Sequence, residues 1–271
     1  MESVANSPNR YIGLFRPTKP TTKLIQNITQ SHEIKFGDAL EEIFTTYFEV
    51  LGYQNLTKRI VLENNEIYHI DQLFLQNNII YMIEQKVRDD HDSTKKRGQF
   101  QNFENKFFEV SKRYPSNQIM PIMWFVDKSL VKNKNYYLTE MQRMDKHYQC
   151  NASLCYGEQL FDNQIIAGIN IQIWNELLVH LKLWKDELPE MPEINFDNNF
   201  EEVIDEIKEI KPSVIRRLFE NENIKNQILP ILFPNGETLS GLKEQYRLKN
   251  LPIFDSLIKL IDNFLCNYLT K

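Results

Sequence analysis

Along residues 36–51 the apolar side chains Phe36, Leu40, Ile43, Phe44, Tyr47, Phe48 and Leu51 recur at helical spacing on one stripe, and Gly52 follows as a stop. The pattern predicts an amphipathic helix. Downstream the period shortens to two. Residues 58–62, 66–75 and 79–87 read as three strands of a β-meander, the last two joined by a tight turn at Asn77 and Asn78, residues that tolerate positive φ. Ser93 or Thr94 suits the cap of a helix reaching about Tyr114, with Phe100, Phe103, Phe107 and Val110 on its buried side. The apolar run 119–126 is a natural inner strand, and a further short strand is expected at 152–156. After "YGEQLFD", helical spacing returns through Trp174, Leu177, Leu181 and Trp184.

This order predicts an α/β fold, a mixed central β-sheet with helices on both faces. An acidic, proline-punctuated segment at 189–199 reads as a linker or domain edge, so the expected division is 1–190 and 191–271, the second part mainly helical. Within it, residues 237–261 permit a helix, turn and helix. The stripe of Ile253, Phe254, Leu257, Leu260, Ile261, Phe264 and Leu265 favours helical packing or a dimer contact over entry into a DNA groove.

Composition narrows the class. A chain of 271 residues, 42% of them hydrophobic, can bury a full core. Its apolar runs fall far short of the ~20 residues that span a bilayer, and its first residues lack the order of a secretory signal; a soluble, cytoplasmic protein with no membrane partner is expected. Cys150, Cys155 and Cys266 have neither zinc nor disulfide spacing. The formal charge of −5 is unevenly spread: residues 94–113 carry six basic residues against two acids, and residues 190–210 carry eight acids and one lysine. A positive surface can therefore coexist with a negative total.

Candidate chemistry gathers at the end of the third expected strand. With Asn77 and Asn78 as the two loop residues, Gln76 faces Ile79, and the same register carried back sets Asp71 opposite Glu84 on one face of the sheet. Two carboxylates so close repel unless a cation lies between them. Mg²⁺ takes one or two such hard oxygen ligands and completes its shell with water and phosphate. Period two puts Lys86 on the face of Glu84 and turns Gln85 away. A strand that ends in two acids and an ammonium fits phosphodiester hydrolysis, with Lys86 orienting or deprotonating the attacking water.

At Asp71, then Glu84, Gln85 and Lys86 after twelve intervening residues, the sequence resembles the PD-(D/E)xK nuclease superfamily, and within it a type II restriction endonuclease. Ile70 stands in the place of the eponymous proline. The resemblance implies a restriction-endonuclease-like catalytic domain within 1–190, a further acid on the preceding helix, for which Glu41 is the better placed of Glu41 and Glu42, and a helix glutamine, Gln99, turned toward the site. It also implies Mg²⁺ as cofactor, double-stranded DNA as substrate and a homodimer on a palindromic target.

The basic stretch that follows is the expected DNA contact. Arg88, His91, Lys95, Lys96, Arg97 and Gln99 border a helix N-terminus, where backbone phosphates can be held. The Tyr136 and Tyr137 segment has a composition suited to the same use, and equally to an ordinary exposed helix. His69 lies near the acids but more naturally packs than catalyses. The expected activity is Mg²⁺-dependent, sequence-specific DNA cleavage in a restriction-modification system. Two alternatives stay open: a repair, recombination or mobile-element nuclease, and a non-catalytic DNA-binding protein in which Asp71, Glu84 and Lys86 form a structural ion-pair cluster.

Overall fold

The computed structural model describes residues 1–88, 93–166 and 168–268, and its chain divides into two compact units, Ile34–Leu188 and a second made of Met1–Glu33 with Pro189–Lys271. The chain opens with α1 (Glu2–Asn6), followed by α2 (Pro20–Val50), whose residues from 34 onward belong to the sheet unit. The stripe read in the sequence forms the second half of α2: Leu40, Phe44, Tyr47 and Phe48 are buried. In the first half Leu24 is buried and residues 29–35 are exposed, so the stripe that begins at Phe36 does not mark the start of the helix.

Next come β1 (Gln54–Asn55), β2 (Arg59–Val61), β3 (Ile67–His69), β4 (Gln72–Gln76), β5 (Ile79–Lys86), α3 (Ser93–Arg113), β6 (Gln118–Phe125), α4 (Lys134–Tyr148), β7 (Ser153–Tyr156) and α5 (Ile171–Glu187). The expected mixed sheet is present. Five strands run in the order β1-β4-β5-β6-β7, with β1, β4 and β5 antiparallel and β5, β6 and β7 parallel. Asn77 and Asn78 both adopt positive φ, 50° and 64°, and set the register Gln76↔Ile79.

The simple meander is not what forms. The stretch 66–75 breaks at Ile70, whose N–H donates to the Lys58 carbonyl. Its first half pairs with β2 in a separate two-stranded sheet, and only its second half joins β5.

Alternation along β5 builds two cores. Tyr81 and Ile83 face α2 and α5 in a cluster with Phe44, Phe48, Trp124 and Trp174. Ile80 and Met82 face α3 and α4, with Phe103, Phe107, Val110, Tyr137 and Met141. Because both faces are covered, the inner strand is apolar at successive positions. Carried two residues further, the alternation turns Glu84 toward α3 and Gln85 toward α2. The crossovers from β5 to β6 and from β6 to β7 run through α3 and α4, which line the same face.

The other unit is helical: α6 (Phe200–Ile207), α7 (Pro212–Glu220), α8 (Glu222–Gln227), α9 (Leu229–Leu232), α10 (Glu237–Lys249) and α11 (Pro252–Tyr268). Its core takes Phe254, Leu257, Ile261 and Phe264 from the C-terminal stripe, while Ile253 stays 52% exposed. The N-terminal residues Val4, Ala5, Tyr11, Ile12 and Leu24 belong to this same core. Their apolar side chains therefore group with residues 189–271 and not with the sheet. Cys150 and Cys155 are buried, Cys266 is exposed, and among the described residues no helix is long and apolar enough to cross a membrane.

Candidate active site

The β4–β5 ladder ends at Gln72↔Ile83, one step short of the two acids. The Asp71 Oδ2 atom continues the pairing in another way, accepting the backbone N–H of Gln85 at 2.7 Å. This bond holds Asp71 against the end of β5, beside Glu84. Burial, reinforced by the charge of Glu84, pushes the Asp71 carboxyl up to about 6.

Glu84 is 7% exposed, and both of its oxygens are engaged. Lys86 Nζ donates to Oε1 and Lys106 Nζ to Oε2, each at 2.7 Å. Burial works against its charge, but the two ammoniums outweigh burial and hold the carboxyl below its ordinary value. Lys86 is the mirror case. Burial alone would lower its pKa, yet Glu84 and Asp71 together hold the ammonium above its usual range. Lys86 Nζ therefore stands beside Glu84 as a charged hydrogen-bond donor.

Glu41, on α2, is half-buried, and burial followed by the Asp71 charge pushes its carboxyl up to about 7. Glu42 beside it is exposed. Hydrogen bonds tie the local frame together: Gln72 donates through Nε2 to the Glu41 carbonyl at 2.7 Å, and Lys58 Nζ reaches Thr45 Oγ1 and Gln72 Oε1 at 2.8 and 3.1 Å. Three carboxylates thus converge on one end of β5. Two of them, Asp71 and Glu41, are pushed toward protonation, first by burial and then by the neighbouring carboxylate.

On the α3 side, Glu84, Lys86, Gly98, Gln99, Asn102 and Lys106 line a cavity of about 260 Å³. Gln99 does face the site, and its Oε1 accepts the Tyr137 hydroxyl at 2.8 Å. Tyr137 itself is wholly buried, which removes it from the expected DNA-facing surface. Lys95, Lys96 and Arg97 occupy the first turns of α3. Lys96 bonds Asn133 Oδ1 at 3.2 Å and lies over the Tyr136 ring, 5.0 Å from its centroid, whereas Lys95, Arg97 and Arg88 are exposed. His91 lies outside the described residues. His69 ends β3 opposite Arg59, exposed and apart from the acids' hydrogen bonds.

Lys106 escaped the sequence reading. It sits on α3 between Phe103 and Phe107, where a lone lysine reads as a solvated position, and only the packing of α3 across β5 brings it onto Glu84.

Among the described residues no group of three or more His, Cys, Asp or Glu side chains is arranged to hold a metal ion. The donor chemistry does fit a hard divalent cation. Asp71 and Glu84 place hard carboxylate oxygens side by side, the donor type such an ion takes, and the Glu84 charge adds to burial in raising Asp71. The Lys86–Glu84 ion pair of a purely structural cluster is also present. It does not account for the burial of Asp71 and Glu41 beside it.

Residues 53–185 match a family model, Type II restriction endonuclease, HinfI. The matched span contains Asp71, Glu84, Lys86, Gln99 and Lys106; Glu41 precedes it. This match supports a sequence-specific nuclease of the restriction type and is consistent with a restriction-endonuclease-like PD-(D/E)xK core. No curated protein and no solved structure matches the chain.

Proposed function

From the premise that residues 53–185 match a type II restriction endonuclease family, we propose that the protein is a Mg²⁺-dependent, site-specific endonuclease of double-stranded DNA, the cutting partner in a cytoplasmic restriction-modification system. The observation that carries the reading is the convergence of Asp71, Glu84 and Lys86 at the end of an inner strand, inside the matched span.

Asp71 and Glu84 are the residues that would hold Mg²⁺, with Glu41 assisting. When bound there, the ion supplies positive charge against the scissile phosphate and acidifies the attacking water. The chain's own groups do the rest. The Lys86 ammonium, held in its charged form by Glu84, orients the water by hydrogen bonding and offsets charge on the pentacoordinate phosphorus as one P–O bond forms and another breaks. Glu41, on the helix ahead of the core strands, would serve as an outer-shell or second-metal ligand. Gln99, braced by Tyr137, lines the cavity in which a phosphate has room. Arg88, Lys95, Lys96 and Arg97 are the cations for neighbouring backbone phosphates, which fix register without reading sequence. His91 is part of the same proposed contact from the sequence alone. A palindromic target makes a two-fold homodimer the economical assembly.

The test is cleavage of unmethylated phage DNA by the purified protein with Mg²⁺, beside a chelator control and Glu84→Gln. Discrete fragments in the first lane alone are expected. Intact DNA across several substrates and metals would favour the non-catalytic DNA-binding reading, for which the Lys86–Glu84 pair is the supporting observation.

A further inference from the structure

Lys106 has no part in the motif, yet it holds half of the central carboxylate. Its ammonium is 2.7 Å from Glu84 Oε2, and the residue is 7% exposed. A buried lysine is costly unless paired, and here the pairing consumes an oxygen that a metal ion would need. The other oxygen is taken by Lys86.

We propose that Lys106 is the internal counter-ion of Glu84, a cation stand-in that competes with the divalent ion for the carboxylate and weakens metal binding to the DNA-free protein. This positioning role rests on the nuclease reading above. Lys106 can fill it because it lies on α3 and lines the 260 Å³ cavity with Gln99 and Asn102. An ammonium displaced from Glu84 therefore has a polar space to enter. A phosphate in that space would draw it off, so that DNA and metal would favour each other's binding, as linkage requires of two ligands that oppose the same contact. Both ammoniums line the cavity, but Lys106 reaches Glu84 from α3, an element separate from the strand that carries the carboxylate.

The competition is read without turnover, by Mn²⁺ titration of DNA-free protein followed by electron paramagnetic resonance. Lys106→Met keeps most of the length of the side chain and removes the charge. It is expected to bind Mn²⁺ at least about tenfold more tightly than wild type, a shift within reach of one charge at this distance. Lys106→Gln, which can still donate to Glu84, guards against a folding failure of the first variant and should tighten binding in the same direction. Lys106→Arg, which keeps the charge, should stay near wild type. A merely structural lysine would leave Mn²⁺ binding unchanged or weaken it on removal. Glu84→Gln separates the two readings. If it abolishes Mn²⁺ binding while Lys106→Met and Lys106→Gln fail to tighten it, the stand-in proposal is overturned and the metal site survives. If neither wild type nor the Lys106 variants bind Mn²⁺, both fall together.

Discussion

Glu41 is a residue at which site and fold pull in opposite directions. Its carboxyl has an ordinary value of 4.5 and is pushed up to about 7 by burial and by Asp71. A carboxyl raised in the folded state adds stability that is complete below its unfolded value and lost as the pH climbs through its folded value. Metal-free Glu41→Gln is therefore expected to be more stable than wild type at about pH 8, by on the order of 1 kcal/mol once partial exposure is discounted. Thermal melts in chelator should show that advantage vanish by about pH 4. Glu84 behaves oppositely, since Glu84→Gln strands two ammoniums; breaking a buried pair from one side costs ~3–5 kcal/mol, and urea unfolding should show a loss approaching that range. Lys86→Met should cost less, because Lys106 still holds Glu84. The nearness of Asp71 to Glu84 was legible because a two-asparagine turn fixes a register that runs to Gln72↔Ile83, although the ladder stops there and Asp71 is held by the Gln85 N–H instead. Lys106 was not singled out, because its partner lies on another element and its charge reads as solvated even though Phe103 and Val110 place it beside the buried stripe.

Among the elements, β5 and α3 were readable from period alone, since each buries a full stripe or a full strand. The break between β3 and β4 was not, because residues on both sides of Ile70 suit a strand and the deciding event is a hydrogen bond to Lys58, twelve positions back. The start of α10 shows the same dependence on distant partners. Asp197, buried ahead of α6, accepts the backbone N–H groups of Asn235, Gly236 and Thr238 at 2.8, 2.8 and 2.9 Å, so a residue some 40 positions away caps the helix. Asp197→Ala leaves three donors without that acceptor and should destabilise the helical unit by roughly 2–4 kcal/mol. Hydrogen exchange of α10 and α6 amides would register it, with β5 and β6 unchanged.

For the whole chain, the sequence pointed to a boundary near 189–199, and the second compact unit resumes at Pro189. What no local pattern revealed is that residues 1–33 group with this C-terminal portion. Four of the first twelve residues, Val4, Ala5, Tyr11 and Ile12, are in its core. Deleting residues 1–12 should therefore loosen α7 and α11 in hydrogen exchange while the sheet keeps its protection. The central claim concerns the other unit, that the end of β5 cuts DNA at a fixed sequence. It is tested most directly by sequencing the fragment ends after wild-type protein and Lys86→Met act on unmethylated phage DNA with Mg²⁺. Wild-type ends that share one short sequence, with none from folded Lys86→Met, are the predicted result; ends scattered at random, or an undiminished yield from the variant, would contradict it.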